Sequence, residues 1–195
     1  MTNKNKAVFI DKDGTLIPDI PYNVNPDLIT ISEEVIQGLQ LLKSEGFLLI
    51  IISNQSGVAR GYFKIEALKD VENKIAELLS EHQIKIDGFY FCPHYTEGSV
   101  KEYAVACNCR KPKPGLILQA CKDHNIDAQT SWMIGDILND VEAGNTAGCK
   151  TVLIDNGNET EWITGDTRTP NYLATGFLKA ASFIVNHTKE AVKSV

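Results

Sequence analysis

Short apolar runs that alternate with longer segments of helical period constrain this chain more than any other feature of its sequence. Runs typical of buried strands lie at 7–10, 47–52, 89–91, 132–134 and 151–154, with a weaker one at 172–174. Segments of helical period lie between and after them, at 32–46, 65–79, 116–125, 140–147 and 177–186. This alternation predicts a doubly wound α/β fold, in which helices cover both faces of a parallel sheet. At 195 residues the chain is expected to form a single domain, 1–195.

Polar clusters follow four of the predicted strands. The clusters are DKDGT at 11–15, SNQSG at 53–57, CPH at 92–94 and GD at 135–136, with Asp140 one turn later. Ligands of open parallel sheets bind outside the carboxyl ends of the strands. We therefore expect all four clusters to lie at one edge of the sheet and to form the functional site.

The carboxylates in these clusters indicate metal-assisted chemistry. Asp11 and Asp13 flank one residue at the exit of a strand, so their side chains can face the same side. A plain turn is the alternative, because Asp and Gly are common turn residues. If Asp136 converges on the same place, the carboxylates repel one another unless a hard cation such as Mg²⁺ relieves them. One carboxylate could then attack a phosphoryl group and another could act as general acid and base.

Four motifs in this chain resemble those of the haloacid dehalogenase (HAD) superfamily of aspartate-nucleophile phosphatases. They are DKDGT, Ser53, Lys111 and GDILND, in the order and spacing of that superfamily. The resemblance implies a three-layer α/β/α fold with Asp11 as nucleophile and Asp13 as general acid and base. It also implies that Asp11, the Asp13 backbone carbonyl and Asp136 hold Mg²⁺. Ser53 and Lys111 would bind the transferring phosphoryl group.

Three cysteines and a histidine gather in one loop. Cys92 and His94 are two residues apart, and so are Cys107 and Cys109. Three thiolates and an imidazole fill the four positions of a tetrahedral zinc ion, which predicts a closed, structural site. A disulfide and inert buried thiols are the alternatives. A disulfide would leave one of the three thiols and the imidazole unexplained.

The zinc loop runs directly into Arg110 and Lys111, which it would aim at a substrate phosphate. A solvated surface pair is the alternative. With SNQSGVARG, the loop resembles the heptose 1,7-bisphosphate 7-phosphatase family, whose role is in lipopolysaccharide-precursor synthesis. The twelve residues between His94 and Cys107 favour that family over the related histidinol-phosphate phosphatases. The resemblance implies substrate contacts at Asp19, Tyr22, Ser53, Asn54, Gln55, Ser56, Arg110 and Lys111.

One departure concerns the fourth motif. Many members of the heptose family have Lys after the motif's first Asp, whereas this chain has Ile137. No large cap domain can be placed, because one helix each fills the intervals after the first motif and after the second strand. Loops, including the zinc loop, are therefore expected to recognise the substrate.

Charge and hydropathy narrow the class of partner. A net charge of −6 and a pI near 5.2 argue against a general nucleic-acid or membrane-surface binder. The first apolar run, 7–10, is too short for a signal peptide, so we expect a cytoplasmic protein. The predicted partner is a small phosphorylated sugar, and the protein is expected to be a monomer. A catalytically idle, zinc-stabilised binding module is the alternative from another class.

Overall fold

The computed structural model describes residues 4–193 and contains a six-stranded parallel sheet. Its strands are β1 (Ala7–Ile10), β2 (Leu48–Asn54), β3 (Gly88–Cys92), β4 (Trp132–Gly135), β5 (Lys150–Ile154) and β6 (Tyr172–Ala174). Their order across the sheet is β3-β2-β1-β4-β5-β6. The chain thus starts in the middle, builds outward to one side, and then returns to build the other. The predicted doubly wound α/β fold is confirmed.

Within residues 4–193, six α-helices connect and cover these strands. They are α1 (Glu33–Ser44), α2 (Gly57–Arg60), α3 (Ala67–Ser80), α4 (Gly115–Asp123), α5 (Leu138–Ala147) and α6 (Phe177–Lys193). The Ser32 side chain caps α1 by accepting a hydrogen bond from the Val35 backbone. The interval between β2 and β3 holds two helices, α2 and α3, instead of the single one expected. The sequence did not indicate α2, because a helix of four residues is too short to show a helical period.

The core divides into two layers, one on each face of the sheet. Alternate residues of β1 point to opposite faces, so Val8 and Ile10 join one cluster while Ala7 and Phe9 join the other. Apolar residues of α1, α3 and α6 complete the first cluster, and those of α4 and α5 complete the second. The sheet is therefore covered on both faces, as its nearly continuous apolar strands require.

Because all six strands are parallel, their carboxyl ends lie at a single edge of the sheet. The four polar clusters of the sequence begin at or directly after the last residues of β1, β2, β3 and β4. No helix within residues 4–193 is long and apolar enough to span a bilayer.

Candidate active site

A buried lysine lies at the centre of the carboxyl edge. The Lys111 Nζ donates hydrogen bonds to Asp11 Oδ1 and to the Ile52 carbonyl, the latter at 3.1 Å. It also lies 2.6 Å from Asp140 Oδ1. Lys111 is 3% exposed and Asp140 is fully buried. Burial opposes the charge on Lys111, but Asp11 and Asp140 outweigh it and raise its pKa, so the ammonium is kept.

Three buried carboxylates lie together at this place, and two of them, Asp11 and Asp140, contact the ammonium. One oxygen each from Asp11, Asp136 and Asp140 lies within 4.8 Å of the others. Burial raises the pKa of Asp11 from 3.8 to about 7, although Lys111 works in the opposite direction. Burial, and next the Asp11 charge, raises the pKa of Asp136 to about 6. Three carboxylates and one ammonium leave an excess of negative charge in a region that is buried from water, where uncompensated charge is unfavourable.

This donor set fits a magnesium ion. Mg²⁺ prefers a few carboxylate oxygens at about 2.0–2.1 Å, which puts opposite ligands about 4.2 Å apart. Asp11 and Asp136, both in the predicted set, supply buried oxygens within 4.8 Å of each other, which leaves room for such an ion. The side chain of Asp13 lies outside the cluster, so its predicted contribution through the backbone carbonyl stays a prediction.

Asp136 is fixed by two donors. The Thr15 hydroxyl donates to its Oδ1 at 3.1 Å, and the Asn158 amide donates to its Oδ2 at 2.6 Å. Gly14 has a φ of 85°, and a Cβ there would overlap both the Asp136 carboxylate and the Asn158 amide. The glycine of DKDGT is therefore required for the close approach of this turn to the fourth motif.

The Asp13 carboxylate is held from both sides. The buried Lys12 ammonium bonds one oxygen, and the Gln55 amide donates to the other at 3.0 Å. Gln55 also donates to Ser53 Oγ at 2.7 Å. The Asp13 side chain remains 30% exposed, so it can be reached from solvent. That arrangement suits a group which exchanges protons with a bound substrate.

A cavity of about 280 Å³ lies beside Asp13. Its lining includes five of the predicted substrate contacts, namely Asp19, Tyr22, Asn54, Gln55 and Ser56. Arg110 lies elsewhere, with its guanidinium 3.5 Å from the His94 carbonyl and 5.4 Å from the centre of the Tyr95 ring.

The backbone of Lys111 is clamped to β2. The Asn54 amide donates to the Lys111 carbonyl at 3.1 Å and accepts from the Lys111 backbone N–H at 3.0 Å. This reciprocal pair orients the lysine towards Asp11. Asn54 is predicted to contact the substrate, and its side chain also holds the Lys111 backbone in place.

The four predicted zinc ligands lie together. The Cys92 sulfur is 3.1 Å from that of Cys109 and 3.6 Å from that of Cys107, and His94 Nδ1 is 3.2 Å from the Cys109 sulfur. A disulfide needs sulfurs about 2.05 Å apart, so these thiols are free. Tetrahedral ligands at about 2.3 Å from zinc are separated by about 3.8 Å, which the cluster approaches. The set fits a zinc ion with all four positions filled.

Three residues of the site were given no role from the sequence. Asp140 had a signal, since it is the last residue of GDILND, but its contact with Lys111 was not foreseen. No signal in the sequence pointed to Lys12 or Asn158, because the packing of loops determines which residues they contact. Asn158 lies 22 residues beyond the Asp136 that it binds.

Comparison with known proteins identifies the family of this chain. A family model described as "HAD-hyrolase-like" matches residues 108–180. The D-glycero-beta-D-manno-heptose-1,7-bisphosphate 7-phosphatase of Pasteurella multocida is 45% identical over 78% of this chain and 83% of its own. That of Haemophilus ducreyi is 46% identical over 76% and 82%.

Among solved structures, the D,D-heptose 1,7-bisphosphate phosphatase of B. bronchiseptica, complexed with magnesium and phosphate, superposes with a TM-score of 0.76. It is 24% identical, and the match covers 93% of this chain and 99% of that one. This structural likeness supports the fold, and the sequence identity with the two relatives shows the family. The chain belongs to the D-glycero-beta-D-manno-heptose-1,7-bisphosphate 7-phosphatase family of HAD-like hydrolases.

Proposed function

We propose that this protein hydrolyses the 7-phosphate of D-glycero-D-manno-heptose 1,7-bisphosphate through an aspartyl phosphate. The observation that carries the proposal is the pairing of two carboxylates with opposite environments. Asp11 is buried against the Lys111 ammonium, whereas Asp13 faces a cavity. A nucleophile and a proton donor need this difference.

In the first half-reaction, an Asp11 carboxylate oxygen forms a bond to phosphorus while the bond from phosphorus to the sugar oxygen breaks. Asp13 gives its proton to the leaving sugar oxygen. Lys111 and Ser53 offer hydrogen bonds to the phosphoryl oxygens, where negative charge is spread. When bound by Asp11, Asp136 and the Asp13 carbonyl, Mg²⁺ supplies further neutralisation of that charge.

In the second half-reaction, water attacks the phosphorus and the bond to Asp11 breaks. Asp13 takes a proton from that water, and inorganic phosphate leaves. Gln55 and Lys12 hold the Asp13 carboxylate in place through both proton transfers. The cycle restores both carboxylates without any other reagent.

The zinc site has a supporting role in this proposal. Its four ligands leave no position for water or substrate, so it takes no part in the bond changes. The Arg110 guanidinium donates to the backbone carbonyl of the zinc ligand His94 at 3.5 Å, which links the site to the cation beyond it. Zinc therefore positions Arg110.

The test is hydrolysis by the purified protein with Mg²⁺. Heptose 1,7-bisphosphate should lose its 7-phosphate alone, as followed by phosphorus NMR, with a higher kcat/KM than histidinol phosphate. Equal or better turnover of histidinol phosphate would reverse the substrate assignment and keep the phosphatase chemistry. Lack of hydrolysis of any phosphomonoester would favour the idle binding module.

A further inference from the structure

One side chain from the loop that follows β5 reaches the carboxylate cluster, and the proposed chemistry gives it no role. This loop, 155–162, is largely exposed, yet the Asn158 amide donates a hydrogen bond to Asp136 Oδ2 at 2.6 Å. Asp136 itself is only 3% exposed. A hydrogen bond from outside the ligand set to a metal-binding carboxylate fixes the orientation of that carboxylate.

The loop is anchored on both sides of Asn158. The Asn156 side chain donates to the Gly14 carbonyl at 2.8 Å, and its Oδ1 accepts the Asn158 backbone N–H at 3.1 Å. On the other side, Glu159 Oε2 accepts the Leu138 backbone N–H at 2.7 Å, at the start of α5. The Asn158 backbone is thus tied to the turn of the first motif and to the helix of the fourth, which keeps its amide beside the metal ligand.

Both oxygens of the Asp136 carboxylate accept a hydrogen bond. Thr15 donates to Oδ1 at 3.1 Å, and Asn158 donates to Oδ2. Each carboxylate oxygen offers about two lone pairs, so one lone pair on each oxygen is left for a cation. The last torsion of an aspartate side chain is otherwise broad, and two donors on opposite oxygens narrow it. This arrangement favours ligation through one oxygen over ligation through both.

Mg²⁺ and Ca²⁺ differ in what they require of such a carboxylate. Mg²⁺ demands near-ideal octahedral geometry with oxygens at about 2.0–2.1 Å. Ca²⁺ accepts about six to eight oxygens at about 2.3–2.6 Å and binds carboxylates through one oxygen or through both. A carboxylate held in one orientation therefore suits Mg²⁺, whereas one that turns freely lets the larger ion take both oxygens.

The neutrality of the Asn158 amide also suits a dication. The three carboxylates of the cluster and the Lys111 ammonium leave two negative charges when all are ionised. A neutral donor orients Asp136 without reducing that charge. A lysine or arginine in the place of Asn158 would orient the carboxylate too, but it would repel the ion.

We propose that Asn158 is a positioning residue for the magnesium ligand Asp136, and that it makes the site prefer Mg²⁺ to Ca²⁺. The inference rests on the proposed function, since it concerns the metal ion of that reaction. Asn158 acts through Asp136 alone: its amide holds the carboxylate ready for ligation through one oxygen and opposes ligation through both.

The test measures the binding of Mg²⁺ and of Ca²⁺ by isothermal titration calorimetry to wild type, Asn158→Ala and Asn158→Leu. The protein is freed of Mg²⁺ by dialysis without a chelator, so that bound zinc stays. Both substitutions remove the donor, and leucine keeps about the bulk of the asparagine. Loss of the hydrogen bond should raise the Kd for Mg²⁺ by about 10-fold or more. The Kd for Ca²⁺ should change by under about threefold, because the freed oxygen becomes a further ligand.

The matched control is Asn145→Ala. The Asn145 side chain bonds Thr151, Thr167 and Thr169, so it holds the later part of the same connection between β5 and β6. The substitution removes the same kind of side chain from a structural role in that connection. Both dissociation constants should stay at the wild-type values, even where the melting temperature falls.

Two results would overturn the inference alone. One is a Kd for Mg²⁺ that stays at the wild-type value in both Asn158 variants. The other is an equal rise of the Kd for both ions, because Asn158 would then only hold the loop in place. Wild-type protein that binds no Mg²⁺ would overturn the magnesium site together with the inference. Failure to hydrolyse heptose 1,7-bisphosphate would refute the proposed substrate, and the ratio of the two dissociation constants would still decide the role of Asn158.

Discussion

Lys111 resolves a conflict that the three buried carboxylates create. Its ammonium contacts Asp11 and Asp140 at once, and it also donates a hydrogen bond to the Ile52 carbonyl. The two carboxylates keep the charge on the ammonium although the side chain is buried. A phosphoryl group that arrives at Asp11 meets a cation already in place, so little reorganisation is needed during the reaction.

The first prediction concerns Asp11. Asp11→Asn removes the nucleophile but keeps the shape, so turnover of every phosphomonoester should fall by about 10³-fold or more. Phosphate release under saturating Mg²⁺ measures this, with circular dichroism as the check on folding. Near-wild-type hydrolysis by the folded variant would contradict the assignment of the nucleophile.

The second prediction is a pH dependence of stability in Mg²⁺-free protein. The pKa of Asp11 is raised to about 7 and that of Asp136 to about 6 in the folded state. Between pH 5.5 and 7.5 the folded state binds more protons than the unfolded state, so stability must fall as the pH rises. We expect the melting temperature to drop by about 5 °C over this range.

Two comparisons isolate these groups from the rest of the protein. Asp136→Asn should weaken the dependence of the melting temperature on pH, because an amide does not titrate. Added Mg²⁺ should stabilise the protein more at pH 7.5 than at pH 5.5, since it binds ionised carboxylates. A melting temperature of the Mg²⁺-free protein that rises over the same range would contradict the raised pKa values.

The sequence predicted the positions of those site residues that lie at the ends of strands, because the parallel sheet alone brings them together. Asp11, Asp13 and Asp136 stand at strand ends, where the parallel sheet brings them to one edge. The contacts of Lys12 and Asn158 depend on how loops fold back, which no periodicity encodes. The same holds for the reciprocal bond between Asn54 and Lys111, which joins two segments 57 residues apart.

The two cations that follow the zinc loop are positioned by different elements. The Lys111 backbone is clamped by Asn54 at the end of β2. Arg110 depends on the zinc loop, through the Tyr95 ring and the His94 carbonyl. Loss of zinc should therefore displace Arg110 more than Lys111. This refines the expectation that zinc alone fixes both.

The third prediction separates these two supports. Cys109→Ser should lose zinc and raise KM for heptose 1,7-bisphosphate by about 10-fold or more, because Arg110 and Tyr95 are released. Asn54→Ala should instead lower kcat by about 10- to 100-fold on mono- and bisphosphates alike, because Lys111 is misplaced by a fraction of an ångström.

Steady-state kinetics and zinc content measured by atomic absorption decide between the two patterns. The double variant should show both the raised KM and the lowered kcat, with the two free-energy changes adding, since the two supports are independent. If Cys109→Ser loses zinc yet keeps wild-type kinetics on both substrates, the positioning role of the zinc loop is wrong.

The elements themselves follow from the sequence where their periods are long enough to read. α1 and α3 were predicted within a few residues, because their apolar faces recur over three or more turns. α2 was not, since a helix of four residues shows no period. That helix carries Arg60, whose contacts with the rings of Tyr22 and Tyr95 were therefore not predicted either.

The layered architecture as a whole places all the charged groups of the site at one edge of a molecule with net charge −6. A uniformly acidic surface would repel a substrate with two phosphates. Against that repulsion stand Lys111 and Arg110, which directly follow the zinc ligand Cys109 at that edge. Screening distinguishes the two influences, because charges beyond a Debye length of about 10 Å at 0.1 M salt act weakly.

The fourth prediction uses this screening. If the local cations dominate, raising KCl from about 0.05 to about 0.5 M should increase KM for heptose 1,7-bisphosphate several-fold, because the short-range attraction is weakened. p-Nitrophenyl phosphate, with one phosphate, should respond less, and Arg110→Gln should lose most of the difference between the two substrates. A KM for the bisphosphate that falls with salt would show instead that the net negative charge governs the approach of substrate, and the arrangement of cations at the carboxyl edge would then not steer it.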